Sequence, residues 1–498
     1  MFRDSLAHTA ARRENDDDGG GRVRRAVRRS VVIGSVLAVL VGYAALDAVD
    51  VAPGVLTTRP LPPPAPTATP GIRTLPVVPP PTPSTSVGMP LGSLADDAAG
   101  PSAAALRARL DAVLRLPALG SASLVVRDGQ SGTVLLDERG AVPQVPASTT
   151  KLLSAAAVGQ VFGPDDVLTT KVVRGTTGGS IVLVAGGDSL LAPDRGDPRS
   201  VVGHAGLGDL ATQVAASLRQ SGTKKVTVAV DVSYAPGPLV APTWASSFRP
   251  DGITGAVAML GRADQRALPG SPGPADPVAT TLDLFVKQLG RRGITATASA
   301  AREALAPIDG PVLGSVDSAP VLDQLALALT ESDNALIEIL ARQAAFRAGA
   351  QTDFASVGAW IVKRVASLGI GVDGVTLSDA SGLSRENRVT ALLLTDLLAK
   401  AYDGRHAALR LAVDGMPIAG LTGTLEDRYL SGAGHAAAGR VRAKTGTLTG
   451  ANALAGSVVD DDGRLLVFAG LVPSAGREDA RAALDRLVTE LAACGCRG

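Results

Sequence analysis

Ser148 and Lys151 stand three residues apart in PASTTKLLSAA, residues 146–156. On a helix, positions i and i+3 share a face, so Lys151 can bring its amine against the Ser148 hydroxyl. A neutral amine can take the hydroxyl proton and an ammonium cannot; burial or a neighbouring cation lowers a lysine's pKa enough for the first. At a helix N-terminus, Ser148 would also offer its own backbone N–H to an oxyanion. The alternative is a serine N-cap followed by a surface lysine. Ser-x-x-Lys alone is a weak pattern. A second copy, Ser221-Gly222-Thr223-Lys224, reads as a turn into the strand KKVTVAV.

Ser332-Asp333-Asn334 interrupts an apolar helical pattern within TESDNALIEIL. As chemistry, Ser332 would relay a proton between Lys151 and a leaving amine, and Asn334 offers a donor and an acceptor to a substrate amide. As structure alone, the trio is a helix–helix turn with Ser or Asp as cap. Lys444-Thr445-Gly446-Thr447 lies toward the end of a strand, in GRVRAKTGTLTG. Gly446 lets another backbone approach closely, and a substrate peptide can add to such a strand through main-chain hydrogen bonds. Lys444 would be the second cation that depresses Lys151. Thr445 and Thr447 would bind a terminal carboxylate, and the Thr447 N–H would complete an oxyanion hole with that of Ser148. The structural alternative is a solvated edge strand.

The elements that must hold these residues follow from periodicity. AAALRARLDAVLRL has helical spacing from residue 103. ASLVVRD and TVLLDER read as two strands joined by GQSG. The Ser148 stretch opens a helix to about Val161. Residues 172–317 change character, with short strands, Gly/Pro-rich turns and two helical stretches, and are expected to form an inserted domain or domains. From 318 the chain is strongly helical; it then returns to strands at GRVRAKTGT, ANALAGSVV and RLLVFAGLV and closes on the helix EDARAALDRLVTELAA. The expectation is an α+β fold: a helical cluster beside an antiparallel sheet, two early strands pairing with three late ones, over residues 101–171 and 318–498.

The chain of 498 residues is too long for one ordinary core. Its 48 basic and 47 acidic residues nearly cancel, and no basic stripe with interleaved aromatics appears, so nucleic acid is not an expected partner. The four histidines, His8, His204, His406 and His435, form no metal-ligand spacing. No metal or cofactor is implied, because two lysines and two hydroxyls already supply base, relay and charge. Cys494 and Cys496, the only cysteines, are compatible with a tight disulfide outside the cell, and spacing leaves their state open.

Arg22, Arg24, Arg25, Arg28 and Arg29, at the end of the basic residues 1–30, precede the uncharged run VVIGSVLAVLVGYAAL, residues 31–46. This marks residues 31–49 as a transmembrane signal-anchor with residues 1–30 cytoplasmic and the rest outside. A cleaved signal that leaves the rest secreted is the alternative, although Leu46-Asp47-Ala48 is a poor cleavage site. Residues 50–100 are a proline-rich linker, extended at ~3.1 Å per residue.

Taken together, SxxK, SxN and KTG in this order form the triplet of penicillin-binding proteins and serine β-lactamases. The chain resembles the low-molecular-mass class C D-alanyl-D-alanine carboxypeptidases/endopeptidases over roughly residues 103–490. The resemblance rests on PASTTKLL, FGPDDVLTTKVV, ESDNALIE, SDASGLSRENRVT, GTLEDR and VRAKTGTLTGANALAG, with AGGDSLL and PGPLVAPTW inside the insertion. It implies a transpeptidase-like domain with inserted domains and hydrolysis of D-Ala-D-Ala or of cross-links in peptidoglycan stem peptides. It also implies an acyl-enzyme on Ser148 and covalent capture of β-lactam antibiotics. By motif match, Lys151, Ser332, Asn334, Lys444, Thr445, Gly446 and Thr447 complete the site. One departure concerns Trp244: better-known members carry an acidic residue just after this tryptophan, whereas Ala245 and Ser246 follow here and Asp251 comes later. A β-lactamase would need a separate base to clear the acyl-enzyme, such as a loop glutamate, and none is identified. A non-catalytic wall-binding or sensor protein would be expected to lose Lys151 or Lys444, and both are present.

Overall fold

The computed structural model describes residues 39–46 and 100–496, save 308 and 474–475. The chain divides into two units, 1–87 and 88–498. In the first, residues 39–46 form a helix (α1). The remainder of the apolar run, the basic N-terminus and all but the last residue of the linker lie outside the described residues. No helix among the described residues is long and apolar enough to cross a membrane.

The second unit opens with α2 (Ala103–Leu114), followed by the hairpin strands β1 (Ser123–Asp128) and β2 (Val134–Glu138) and then α3 (Thr150–Val158). The next stretch holds β3 (Thr169–Arg174), β4 (Ser180–Val184), α4 (Leu207–Gln220), β5 (Lys225–Asp231), α5 (Pro277–Arg291), β6 (Thr295–Glu303) and β7 (Val312–Asp317). Five helices follow: α6 (Val321–Thr330), α7 (Asn334–Arg347), α8 (Phe354–Ala366), α9 (Ala391–Tyr402) and α10 (Ala407–Asp414). The chain closes with β8 (Val441–Leu448), β9 (Ala451–Val459), β10 (Leu465–Pro473) and α11 (Arg477–Ala492).

The first sheet is antiparallel in the order β2-β1-β10-β9-β8. The two early strands thus share one sheet with the three late ones, as expected, with β1 pairing directly with β10. Successive side chains of a strand point to opposite faces. Val125 packs with α3, α7, α8 and α9 on one face. Leu124 and Val126 pack with α2 and α11 on the other. Both faces are covered, which explains why β9 and β10 are buried along almost their whole length.

The second sheet, in the order β6-β5-β4-β3-β7, is mixed: β4, β5 and β6 run parallel, and β3 is antiparallel to both β4 and β7. Parallel neighbours need crossover connections. Helices α4 and α5 provide them and pack on the sheet with Leu210, Val214, Leu282 and Phe285. Between β5 and α5 runs a long irregular segment, residues 232–276, with only a 3₁₀ turn at Ala263–Gln265. Cys494 and Cys496 form a disulfide at the end of the chain.

Candidate active site

Ser148 lies in a single 3₁₀ turn, Ala147–Thr149, that leads into α3. Its hydroxyl does not cap the helix, since no side-chain cap bond forms at either N-terminus. The turn is unusual at two points. Ala147 sits in the left-handed region at φ +47°, where a non-glycine residue is costly. Gly382 (φ +87°) packs so tightly beneath it that an added Cβ would stand 1.9 Å from the Ala147 carbonyl oxygen.

Lys151 is fully buried on the first turn of α3. Its Nζ lies 3.0 Å from Ser148 Oγ, 2.6 Å from Asn334 Oδ1 and 2.7 Å from the Ser381 carbonyl oxygen. The last two partners can only accept. A neutral amine has two N–H bonds and one lone pair, so both N–H bonds are taken and the lone pair is left for Ser148. Losing one proton reverses the Lys151–Ser148 hydrogen bond and aims the lone pair at the hydroxyl proton. Burial lowers the Lys151 pKa to about 8, against the opposing fields of Asp379, Glu338 and Asp333.

Lys444 is also fully buried, and its Nζ donates to the Thr445 carbonyl oxygen at 3.2 Å. Burial first, and the Lys151 charge second, push its pKa well below the ordinary lysine range. From the sequence, Lys444 is the cation expected to depress Lys151. In the structure, burial lowers Lys151, and the repulsion between the two amines appears on Lys444.

The SxN trio occupies the sharp turn between α6 and α7. Ser332 sits at φ +59°. Asp333 caps α7, with Oδ1 accepting from the Leu336 N–H at 3.0 Å. Asn334 begins α7 and turns its side chain back into the site, donating from Nδ2 to the Ile253 carbonyl oxygen at 2.7 Å. Ser148, Ser332, Thr445, Gly446 and Thr447 line one open cleft with Thr424, Arg428 and Asn452. The structure therefore brings all eight sequence-predicted residues to one place, Lys151 through its bond to Ser148, Asn334 through its bond to Lys151, and Lys444 through its place on β8. Ser221 is elsewhere: it ends α4, and its hydroxyl donates to the Leu218 carbonyl oxygen at 3.0 Å.

Strand β8 is the edge of the first sheet. Its first half is bridged by Ile418, opposite Arg442. Its second half, Lys444–Leu448, bears no such bridge among the described residues. Gly446 lets this half approach the nucleophile turn, since an added Cβ would stand 2.7 Å from the Pro146 carbonyl oxygen and 3.1 Å from Ala147 Cβ. Thr445 Oγ1 lies 2.9 Å from Thr424 Oγ1.

Sequence reasoning missed the groups behind this layer. Asp379 is buried and accepts four hydrogen bonds, from Trp244 Nε1, Asn387 Nδ2 and the backbone N–H groups of Gly382 and Ser384. Glu338 accepts from the N–H groups of Ala380 and Ser381 at 3.0 and 2.7 Å. Burial, with the nearby Asp379, raises its pKa to about 8. Together these carboxyl groups shape the loop that presents the Ser381 carbonyl to Lys151. The available signal was a glutamate on the buried face of an apolar helix, in ALIEIL. Trp244 itself sits in a groove with Ala245, Ser246, Phe248 and Arg249, and Asp251 does not line that groove.

Comparison with known proteins shows the family. Residues 106–252 and 249–493 match the D-Ala-D-Ala carboxypeptidase 3 (S13) family. The carboxypeptidase DacB of Mycolicibacterium smegmatis is 36% identical over 404 residues, covering 80% of this chain and 85% of that protein. Carboxypeptidase Rv3627c of Mycobacterium tuberculosis is 35% identical over 411 residues, covering 81% and 87%. Among solved structures, penicillin binding protein 4 (dacB) from Haemophilus influenzae aligns with a TM-score of 0.61 at 20% identity, over 78% of this chain and 98% of that one, which bears on the fold alone. The chain belongs to the D-Ala-D-Ala carboxypeptidase 3 (S13) family.

Proposed function

We propose that the chain is a serine-type D-alanyl-D-alanine carboxypeptidase, acting on peptidoglycan stem peptides through an acyl-enzyme on Ser148, with DD-endopeptidase action on cross-linked stems. The observation that carries this reading is the Lys151 amine, fully buried, bonded to Ser148 Oγ and committed elsewhere to acceptors only.

The steps follow from the geometry. The stem peptide lies along the open half of β8, with its terminal carboxylate at Thr445 and Thr447. Lys151 takes the Ser148 proton as Oγ attacks the carbonyl of the penultimate D-Ala. The N–H groups of Ser148 and Thr447 hold the oxyanion. The C–N bond breaks, Ser332 passes the proton from Lys151 to the leaving amine, and D-Ala departs. Water then attacks the ester, giving up a proton as Ser148 Oγ regains one. A β-lactam acylates Ser148 by the same first step. Its leaving amine stays tethered to the acyl group, which obstructs water. Release of D-Ala from a peptide ending in D-Ala-D-Ala tests this reading. The parent is expected to release it and Ser148→Ala to fall to background; equal release by both would refute the nucleophile.

The charged N-terminus and the apolar run 31–46 support a membrane-anchored enzyme with its catalytic domain outside the cytoplasm. The full chain is then expected to sediment with membranes and to resist carbonate extraction, and its recovery in the soluble fraction would contradict the anchor.

A further inference from the structure

Ser332 stands between two carboxylates, Glu331 at the end of α6 and Asp333 at the start of α7. One arginine from the irregular segment between β5 and α5 holds both. Arg266 Nη2 donates to Glu331 Oε2 at 2.5 Å and to Asp333 Oδ2 at 2.8 Å, and its Nε donates to the same Asp333 oxygen at 3.1 Å. The Arg266 and Asp333 side chains are only 17% and 14% exposed, so this contact is little screened. We infer that Arg266 is a positioning residue for catalysis: it fixes the left-handed Ser332 turn and neutralises the Asp333 carboxylate beside Lys151, so that the inserted segment is part of the catalytic centre.

Three observations converge on this. First, Ser332 at φ +59° is a conformation that costs about 1–3 kcal/mol and persists only where neighbours over-determine it. Two carboxylates flanking it would repel each other without a shared cation. Second, the same segment makes two more contacts, one to a direct partner of Lys151 and one to the loop that carries another. The Ile253 carbonyl oxygen takes the Asn334 amide, fixing which end of that amide faces Lys151. The Trp244 indole N–H takes Asp379, in the loop whose Ser381 carbonyl meets Lys151. Third, Pro269, just beyond Arg266, lines the cleft beside Ser332 and Ser148. Arg266 itself does not line that cleft, so it acts through Ser332 and the local field.

The titratable groups facing Lys151 are Asp333 and Glu338 from the α7 side, Asp379 from the loop after α8, and Lys444 from β8. Neutralising Asp333 keeps the Lys151 proton weakly held. Losing Arg266 therefore displaces Ser332 and also strengthens that hold.

The test uses the full-length chain with Arg266→Gln, Arg266→Lys and Asp333→Asn. It measures D-Ala release from a D-Ala-D-Ala peptide, the pH profile of acylation by benzylpenicillin, and thermal melting. Arg266→Gln should lose on the order of 10–100-fold in kcat, as expected for a misplaced catalytic group, with KM changed less than about threefold because no substrate contact is removed. Its acylation midpoint should move to higher pH. Arg266→Lys should restore most of both. Asn caps a helix as well as Asp, so Asp333→Asn should fold normally, lose kcat, and move the midpoint to lower pH. This opposite shift keeps the test decisive if Arg266→Gln does not fold. Parental kcat and midpoint in Arg266→Gln or in Asp333→Asn would overturn the inference. So would a kcat loss with an unmoved midpoint that Arg266→Lys does not repair, which would make Arg266 a fold contact only. Absence of D-Ala release from the parent would instead strike the functional reading and leave Arg266 to be judged on acylation.

Discussion

The proposed base, Lys151, is a residue that is ordinarily an acid at neutral pH. Burial removes the water that stabilises the ammonium, and two acceptor-only partners orient what remains. With the pKa at about 8, the neutral amine is a minor species at neutral pH and dominates above it. Acylation of Ser148 by benzylpenicillin is therefore predicted to rise with pH through about 8 and level off above it, measured by stopped-flow or quenched mass spectrometry. A rate independent of pH across that range would contradict Lys151 as the base. The same shift has a stability sign. Between about 8 and the ordinary 10.5, the unfolded chain binds the Lys151 proton and the folded chain does not, so this group makes stability rise with pH across that window. The reactive side chains were legible in the sequence, because lysine is rare here, with eight in the chain, and each motif joins a lysine or an amide to hydroxyls at fixed spacing. The Ser381 carbonyl was not legible, since a backbone group carries no side-chain signature. Glu338 and Asp379 were within quoted segments, but only tertiary burial reveals what they hold.

At the scale of elements, the site depends on close approaches that glycine permits. Gly382 packs beneath the nucleophile turn, and Gly446 brings β8 against it. Gly382→Ala is predicted to be severe, because the residue is at φ +87° and the new methyl would meet backbone rather than a flexible side chain. A destabilisation of about 1–3 kcal/mol is expected. Acylation should also slow, since the Ala147 carbonyl that must retreat adjoins Ser148. Thermal melting with acylation kinetics checks this, and parental values for both would contradict the role given to the approach. The antiparallel sheet was legible from short apolar runs bounded by turns at both ends of the chain. The parallel trio β4-β5-β6 was not, because short apolar strands among Gly/Pro-rich turns do not state their direction.

At the scale of the molecule, the irregular segment between β5 and α5 reaches the candidate site. Its Trp244, Ile253 and Arg266 reach Asp379, Asn334 and Asp333, three groups set around one lysine. Such contacts join residues 67 to 135 positions apart, and local pattern has no means of pairing them. The three motifs that meet in the cleft were legible in the sequence, but these long-range contacts from residues 232–276 were not. The central claim concerns the chain as a whole: that this assembly activates Ser148, and only Ser148, as a nucleophile. Intact mass of the full-length chain after incubation with benzylpenicillin tests it most directly, with Ser148→Ala and Ser221→Ala alongside. A persistent adduct of one penicillin is predicted on the parent and on Ser221→Ala, and none on Ser148→Ala. An adduct on Ser148→Ala, or no adduct on the parent with the drug recovered intact, would contradict the account, and rapid hydrolysis of the drug without an adduct would make the chain a β-lactamase.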